Sequence, residues 1–144
     1  MKTARFITYI SVLVLGCAYA LTASCSRGGA DYDRDLCRTL STKIERHDEL
    51  SQRDYSLMIE QDRQILQYLI SCADDIRNTP VEERDHAWRN LTANPDYMER
   101  FGYLFTLGSA LYQADIDGSL NEDNARKYKA LDEYNERLAD YAER

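Results

Sequence analysis

Glu83 and His86 stand three residues apart, a spacing that sets a carboxylate and an imidazole on one face of a helix. Two such pairs facing each other hold a dinuclear metal centre. No second pair exists, because the other histidine, His47, has Ile44 three positions before it. The run Glu82-Glu83-Arg84-Asp85 therefore reads as a solvated charged face. His47 reads as a helix-end residue, where an imidazolium is favoured by the negative pole of the dipole. The chain lacks a Walker loop, a G-x-G-x-x-G turn, an H-E-x-x-H helix and any C-x-x-C pair, so phosphate, dinucleotide and zinc chemistry have no sequence signature. Neither a nucleophile–base pair nor a carboxylate dyad is legible. The expectation is a protein that is not an enzyme, with no catalytic residues, no cofactor and no metal.

The segment from Gln113 to Asn124 comes nearest to an exception, since Asp115, Asp117, Gly118 and Leu120 match the third, fifth, sixth and eighth positions of an EF-hand loop. The first position is Gln113 and the twelfth is Asn124, so the hard carboxylates that hold Ca²⁺ are missing where they matter most. Gly118 and Ser119 read instead as the end of one helix and the start of the next, with Ser119 to Glu122 as a capping box. The chain is rich in tyrosine, with 11. Tyr55, Tyr97, Tyr112 and Tyr128 fall on core-facing positions, whereas Tyr103, Tyr134 and Tyr141 fall off the main stripes, where a tyrosine is a favoured contact for partners or sugars.

Such side chains need elements to position them, and the composition favours helices. Six glycines and two prolines in 144 residues do not suit a turn-dense β-sandwich. Apolar residues recur at helical spacing from Asp31 to His47, with Leu36/Cys37, Leu40 and Ile44 on one face. Ser51 to Asp54 resembles a capping box ahead of the longest stripe: Tyr55, Met58/Ile59, Asp62, Ile65/Leu66, Leu69, Cys72/Ala73 and Ile76. Thr79-Pro80 is expected to cap and start a third helix over 80–92, with Val81, Trp88 and Leu91 sharing a face. Asn94-Pro95 starts a fourth, with Tyr97/Met98, Phe101, Leu104/Phe105, Gly108 and Leu111/Tyr112 apolar, and a fifth runs from Ser119 to the C-terminus. The fold class is all-α, a small up-and-down bundle of about five unequal helices over residues 31–144.

Ahead of that domain, Lys2 and Arg5 precede a stretch from Phe6 to Cys25 that carries no charge, and Ser26-Arg27-Gly28 follows at once. A positive start, an apolar run and small residues before a polar turn form a secretory signal. Cleavage after Ala20, at Ala18-Tyr19-Ala20, would give a soluble secreted protein, and retention would give a signal anchor of about the ~20 residues that span a bilayer. A third ending rests on Leu21-Thr22-Ala23-Ser24-Cys25, which resembles the bacterial lipoprotein signal, with Thr22 where that family carries an aliphatic. The resemblance implies cleavage before Cys25 and acylation, with palmitate among the fatty acids, of the new N-terminus. Cys17, after Val14-Leu15-Gly16, is a second candidate, but processing there would leave an apolar remnant on the mature chain. Cys25 is preferred as the lipid-attachment residue, which makes 1–24 a signal peptide and 25–30 a short flexible tether.

Four cysteines, at 17, 25, 37 and 72, fit that reading, since lipidation at Cys25 consumes the odd thiol. Cys37 and Cys72 then remain, and no disulfide is expected between them. In a tight hairpin of the first two helices they lie at heights differing by ~13 Å at 1.5 Å per residue. A disulfide needs Cα atoms within ~7 Å. Only a first helix beginning after Ser41 would let Cys37 reach.

The net charge of −7, with 18 Lys+Arg against 25 Asp+Glu, excludes nucleic acid as a natural partner, because counterion release requires a basic face. The functional expectation is a small acidic lipoprotein of the bacterial cell envelope, outer membrane favoured. It would act as a non-catalytic binding or scaffold module, with a membrane reached through the lipid and an envelope protein as partners. The alternatives are a helical-bundle pocket for a small apolar or glycan ligand and, for location, a secreted soluble protein.

Overall fold

A computed structural model describes residues 31–142, so the expectations for the signal peptide, the tether, Cys17 and Cys25 lie outside the described residues. The protein is all-α. Its helices are α1 (Arg34–Glu45), α2 (Gln52–Arg77), α3 (Val81–Thr92), α4 (Pro95–Ile116), α5 (Glu122–Lys129) and α6 (Leu131–Ala142), with no strand among the described residues. The last helix expected from sequence is divided at Ala130, whose N–H closes α5 on the carbonyls of Arg126 and Tyr128.

The central element is α2, whose apolar stripe packs against every other helix. Side-chain bonds fix the directions. Asp33 N–H donates to Gln61 Oε1 (2.7 Å) and Lys43 Nζ to Asp54 Oδ1 (2.8 Å), so α1 runs antiparallel to α2. Gln52 meets Asn124, Gln67 meets Tyr134 and Asp74 meets Arg137, so α5 and α6 run alongside α2 in its own direction. The return is made by α3 and α4: Arg84 reaches back to the carbonyls of Arg77 and Thr79, and Ser119, just past α4, lies beside Gln52. Leu40, Met58, Ile65, Leu66, Leu69, Leu107 and Leu111 are fully enclosed between these layers. Each such side chain contributes ~1.5–3 kcal/mol when taken out of water.

The ends are made by local chemistry. Ser51 Oγ accepts from Asp54 N–H while Asp54 Oδ2 accepts from Ser51 N–H, the capping box read from the sequence. Asn94 and Pro95 start α4 as expected. Three ends differ from expectation. The first helix begins at Arg34, with Asp33 as its cap, because Asp31–Asp33 are drawn into side-chain contacts. Thr79 does not cap α3; its hydroxyl donates to Asp75 C=O and Pro80 takes the cap position without a side-chain bond. Asn121, not Ser119, caps α5, because Ser119 N–H closes α4 by bonding Ala114 C=O. Val81 is 71% exposed and leaves the face of Trp88 and Leu91, which do pack on the core.

Candidate functional site

The buried side of α2 carries two carboxyls, Asp54 at its start, bonded to Lys43 and Ser51, and Asp62. Asp62 sits at its centre, 2% exposed, and its Oδ1 has no hydrogen-bond partner. Burial pushes that carboxyl well above the usual aspartate range, so it keeps its proton at pH values where surface aspartates have lost theirs. Cys37 of α1 lies at the same level: its thiol faces Gln61 Oε1 at 3.8 Å, and burial, reinforced by the carboxyls of Asp62 and Asp33, pushes it up to about 12. Burial, with Asp115 and Asp62 nearby, also pushes the Tyr128 phenol up. A thiol and a phenol held neutral in this way are poor nucleophiles and poor bases. Cys72 is buried too, and no disulfide joins it to Cys37. Cys37 is level with Gln61, and Cys72 lies ~16 Å further along α2 at 1.5 Å per residue.

The remaining sequence candidates are separated from one another. Glu83 and His86 are exposed on α3, and His47 is exposed beyond the C-terminus of α1. Among the described residues no group of three or more His, Cys, Asp and Glu side chains stands close enough to hold a metal ion. In the Gln113–Asn124 segment Asn124 is buried and donates its amide to Gln52 C=O and Oε1, both at 2.9 Å, while Gln52 Nε2 donates to Ser119 C=O (2.7 Å). That polar staple ties the start of α5 to the start of α2. The tyrosines expected on the surface are bound within the fold. Tyr103 lies 5.9 Å from the Tyr32 ring, Tyr134 accepts from Gln67, and Tyr141 bonds Asp74 beneath the Arg77 guanidinium. Asn90, in the Asn90-Leu91-Thr92 sequon, is itself buried.

Where the chain enters the bundle, Arg100 of α4 makes a clamp. Its guanidinium lies between the rings of Tyr32 (4.4 Å) and Tyr68 (4.2 Å) and donates to Asp31 (3.1 Å) and Asp96 (3.2 Å). The stacking uses the weakly hydrated planar face of the cation and leaves its edge for the carboxylates.

The feature least explained by folding is the outward face of α4. From Phe101 to Ala114 the sequence has no charged residue. Only one side of this run faces the core, which takes Leu107, Gly108, Leu111 and Ala114. At 100° per residue Met98, Gly102, Phe105, Ser109, Tyr112 and Ile116 fall within ~40° of one line on the opposite side. Met98 is 36%, Phe105 46% and Ile116 59% exposed, so three large apolar side chains stand along a line ~27 Å long. The sequence placed Met98 and Phe105 with the core; the structure corrects this, because leucines, alanine and glycine already fill the inner face. Periodicity could not separate the faces, since both are apolar.

No protein family, no curated protein and no solved structure matches the chain. No helix among the described residues is long and apolar enough to cross a membrane.

Proposed function

We propose that this chain is a small acidic lipoprotein of a bacterial envelope, held on a membrane through acylated Cys25, outer membrane favoured, and working as a non-catalytic binding or scaffold module. The observation that carries the reading is the outward face of α4. A solvent-facing helix normally carries charged and polar residues on its outer side. Here that side carries Met98, Phe105 and Ile116 in the middle of a chain with net charge −7. An aligned apolar strip of this kind marks an interaction surface, and the partner in this reading is another envelope protein. The non-catalytic part is supported by the placement of the candidate groups: Cys37 and Asp62 are enclosed in the core, while His47, Glu83 and His86 stand on the surface.

The test is co-purification from detergent-solubilised envelopes, comparing the natural chain with Phe105→Asp. A protein recovered with the first and lost with the second supports the reading. Recovery of no protein above background, or of the same proteins with both, overturns it.

A further inference from the structure

The strip on α4 has the dimensions of a single helix: ~27 Å corresponds to ~18 residues, and its width is that of one helical face. One turn along it from Met98 is Gly102, exposed and helical, beside Phe105. A glycine inside a helix weakens it relative to alanine, and nothing among the described residues requires a glycine here, since a Cβ built there meets none of their atoms within 4 Å. The gap beside Phe105 is therefore open to an incoming side chain. The charges bordering the strip have one dominant sign. On the wheel of α4 and its cap the strip is flanked by Glu99, Asp115 and Asp117, each ~100° from the Met98–Ile116 line, and the helix's single cation, Arg100, is buried and committed to Asp31, Asp96 and two tyrosine rings. Arg34 of α1 reaches Asp96 and Glu99 at one end, while at the other Asp117 accepts from the uncharged Gln113 amide (2.9 Å) and no ion pair is seen for Asp115 or Asp117 among the described residues. A second copy, or an anionic bilayer, would bring like charge to like charge.

We infer that the outward face of α4 receives a cationic amphipathic helix of a partner protein, whose apolar side covers Met98, Phe105 and Ile116, with one large side chain in the Gly102 gap and lysines or arginines against the bordering acids. This rests on the reading of α4 as a protein-binding surface and adds the chemistry of what it binds. Apolar contact supplies the adhesion, while the charges set orientation and reject acidic helices.

The experiment uses the full chain in the cells that make it, with Met98→p-benzoylphenylalanine as a photo-crosslinker and the same probe at exposed Glu83 as a control. The expected adduct joins position 98 to a helical segment of another protein with an apolar stripe and net positive charge. In isolated membranes its yield falls about fivefold between low and high salt, because exposed charge pairs are screened. An 18-residue Leu/Lys helix added as competitor suppresses it, and a Leu/Glu helix does not. Gly102→Leu cuts the yield at least fivefold, whereas Gly102→Ala raises the melting temperature, so a lost adduct is not a lost fold. An adduct to a neutral or acidic segment overturns the inference and leaves the protein-binding reading standing. An adduct to lipid, to a second copy of the chain, or of equal yield at Glu83 overturns the inference, and no adduct at position 98 overturns both.

Discussion

Asp62 makes the folded state a stronger base than the unfolded one, and the sign of its effect follows. An unfolded aspartate loses its proton near pH 4, whereas burial holds the folded carboxyl protonated well above that. Between the two values the native state binds the extra proton, so this residue lowers stability progressively as pH rises above ~4. Asp62→Leu is expected to stabilise the protein by ~1–4 kcal/mol at pH 7, with a gain that shrinks as pH falls toward 4. Urea midpoints at the two pH values check this, and a gain that does not change with pH would mean that the carboxyl is solvated. His47 bears on stability through its backbone. It adopts φ 57°, with its N–H on Ile44 C=O and the Asp48 N–H on Lys43 C=O, the bonding of a helix end that prefers glycine. His47→Gly is therefore expected to raise stability by ~1 kcal/mol in thermal unfolding. Both residues were partly legible: Asp62 stood on an apolar stripe and His47 at a helix end. The missing partner and the left-handed backbone were not, because each depends on which atoms the other helices bring.

Each helix shows what its sequence signals and where neighbours override them. The Ser51/Asp54 box was legible because all its atoms lie within one turn, yet sequence gave no sign that Lys43 would cross from α1 to the same carboxylate. Burial pushes the Asp54 carboxyl up, but the bonds from Lys43 and Ser51 outweigh it and hold the group below the usual range. Its contribution is thus present above pH ~4 and lost as pH falls through the lowered value. Asp54→Ala is expected to cost ~2 kcal/mol at neutral pH, an effect that fades in acid when the natural chain loses the same bonds. Chemical denaturation of both proteins at pH 7 and pH 2 measures it. At Thr79 and Ser119 the sequence offered capping residues that the chain uses otherwise, since Thr79 bonds back into α2 and Ser119 closes α4. On α4 the period was clear and the choice of face was not. Leu107 and Leu111 face inward and Phe105 outward, a distinction that hydrophobicity alone does not carry.

At the level of the whole molecule, the all-α fold class followed from the apolar stripes and their short connections, whereas the direction of α4, antiparallel to α2 because α3 and α4 share the return, and the surface for a partner emerged only with the packing. The proposed anchoring is the part that residues 31–142 do not touch, and it has its own test. Cys25→Ala is expected to release the protein from membranes, because acyl chains supply ~0.8 kcal/mol per buried CH₂ and no described helix could span the bilayer in their place. Fractionation of the variant decides, with unchanged membrane retention counting against lipidation at this residue. The Arg100 clamp adds a mechanical property. Asp31 and Tyr32 are held to α4 by a buried cation between two rings, not by the fraying end of α1. Tension entering ahead of Asp31 therefore meets this clamp before it reaches α1. In single-molecule pulling from that end Arg100→Ala is expected to lower the force at which the domain first yields, and an unchanged force would show that the clamp bears no load.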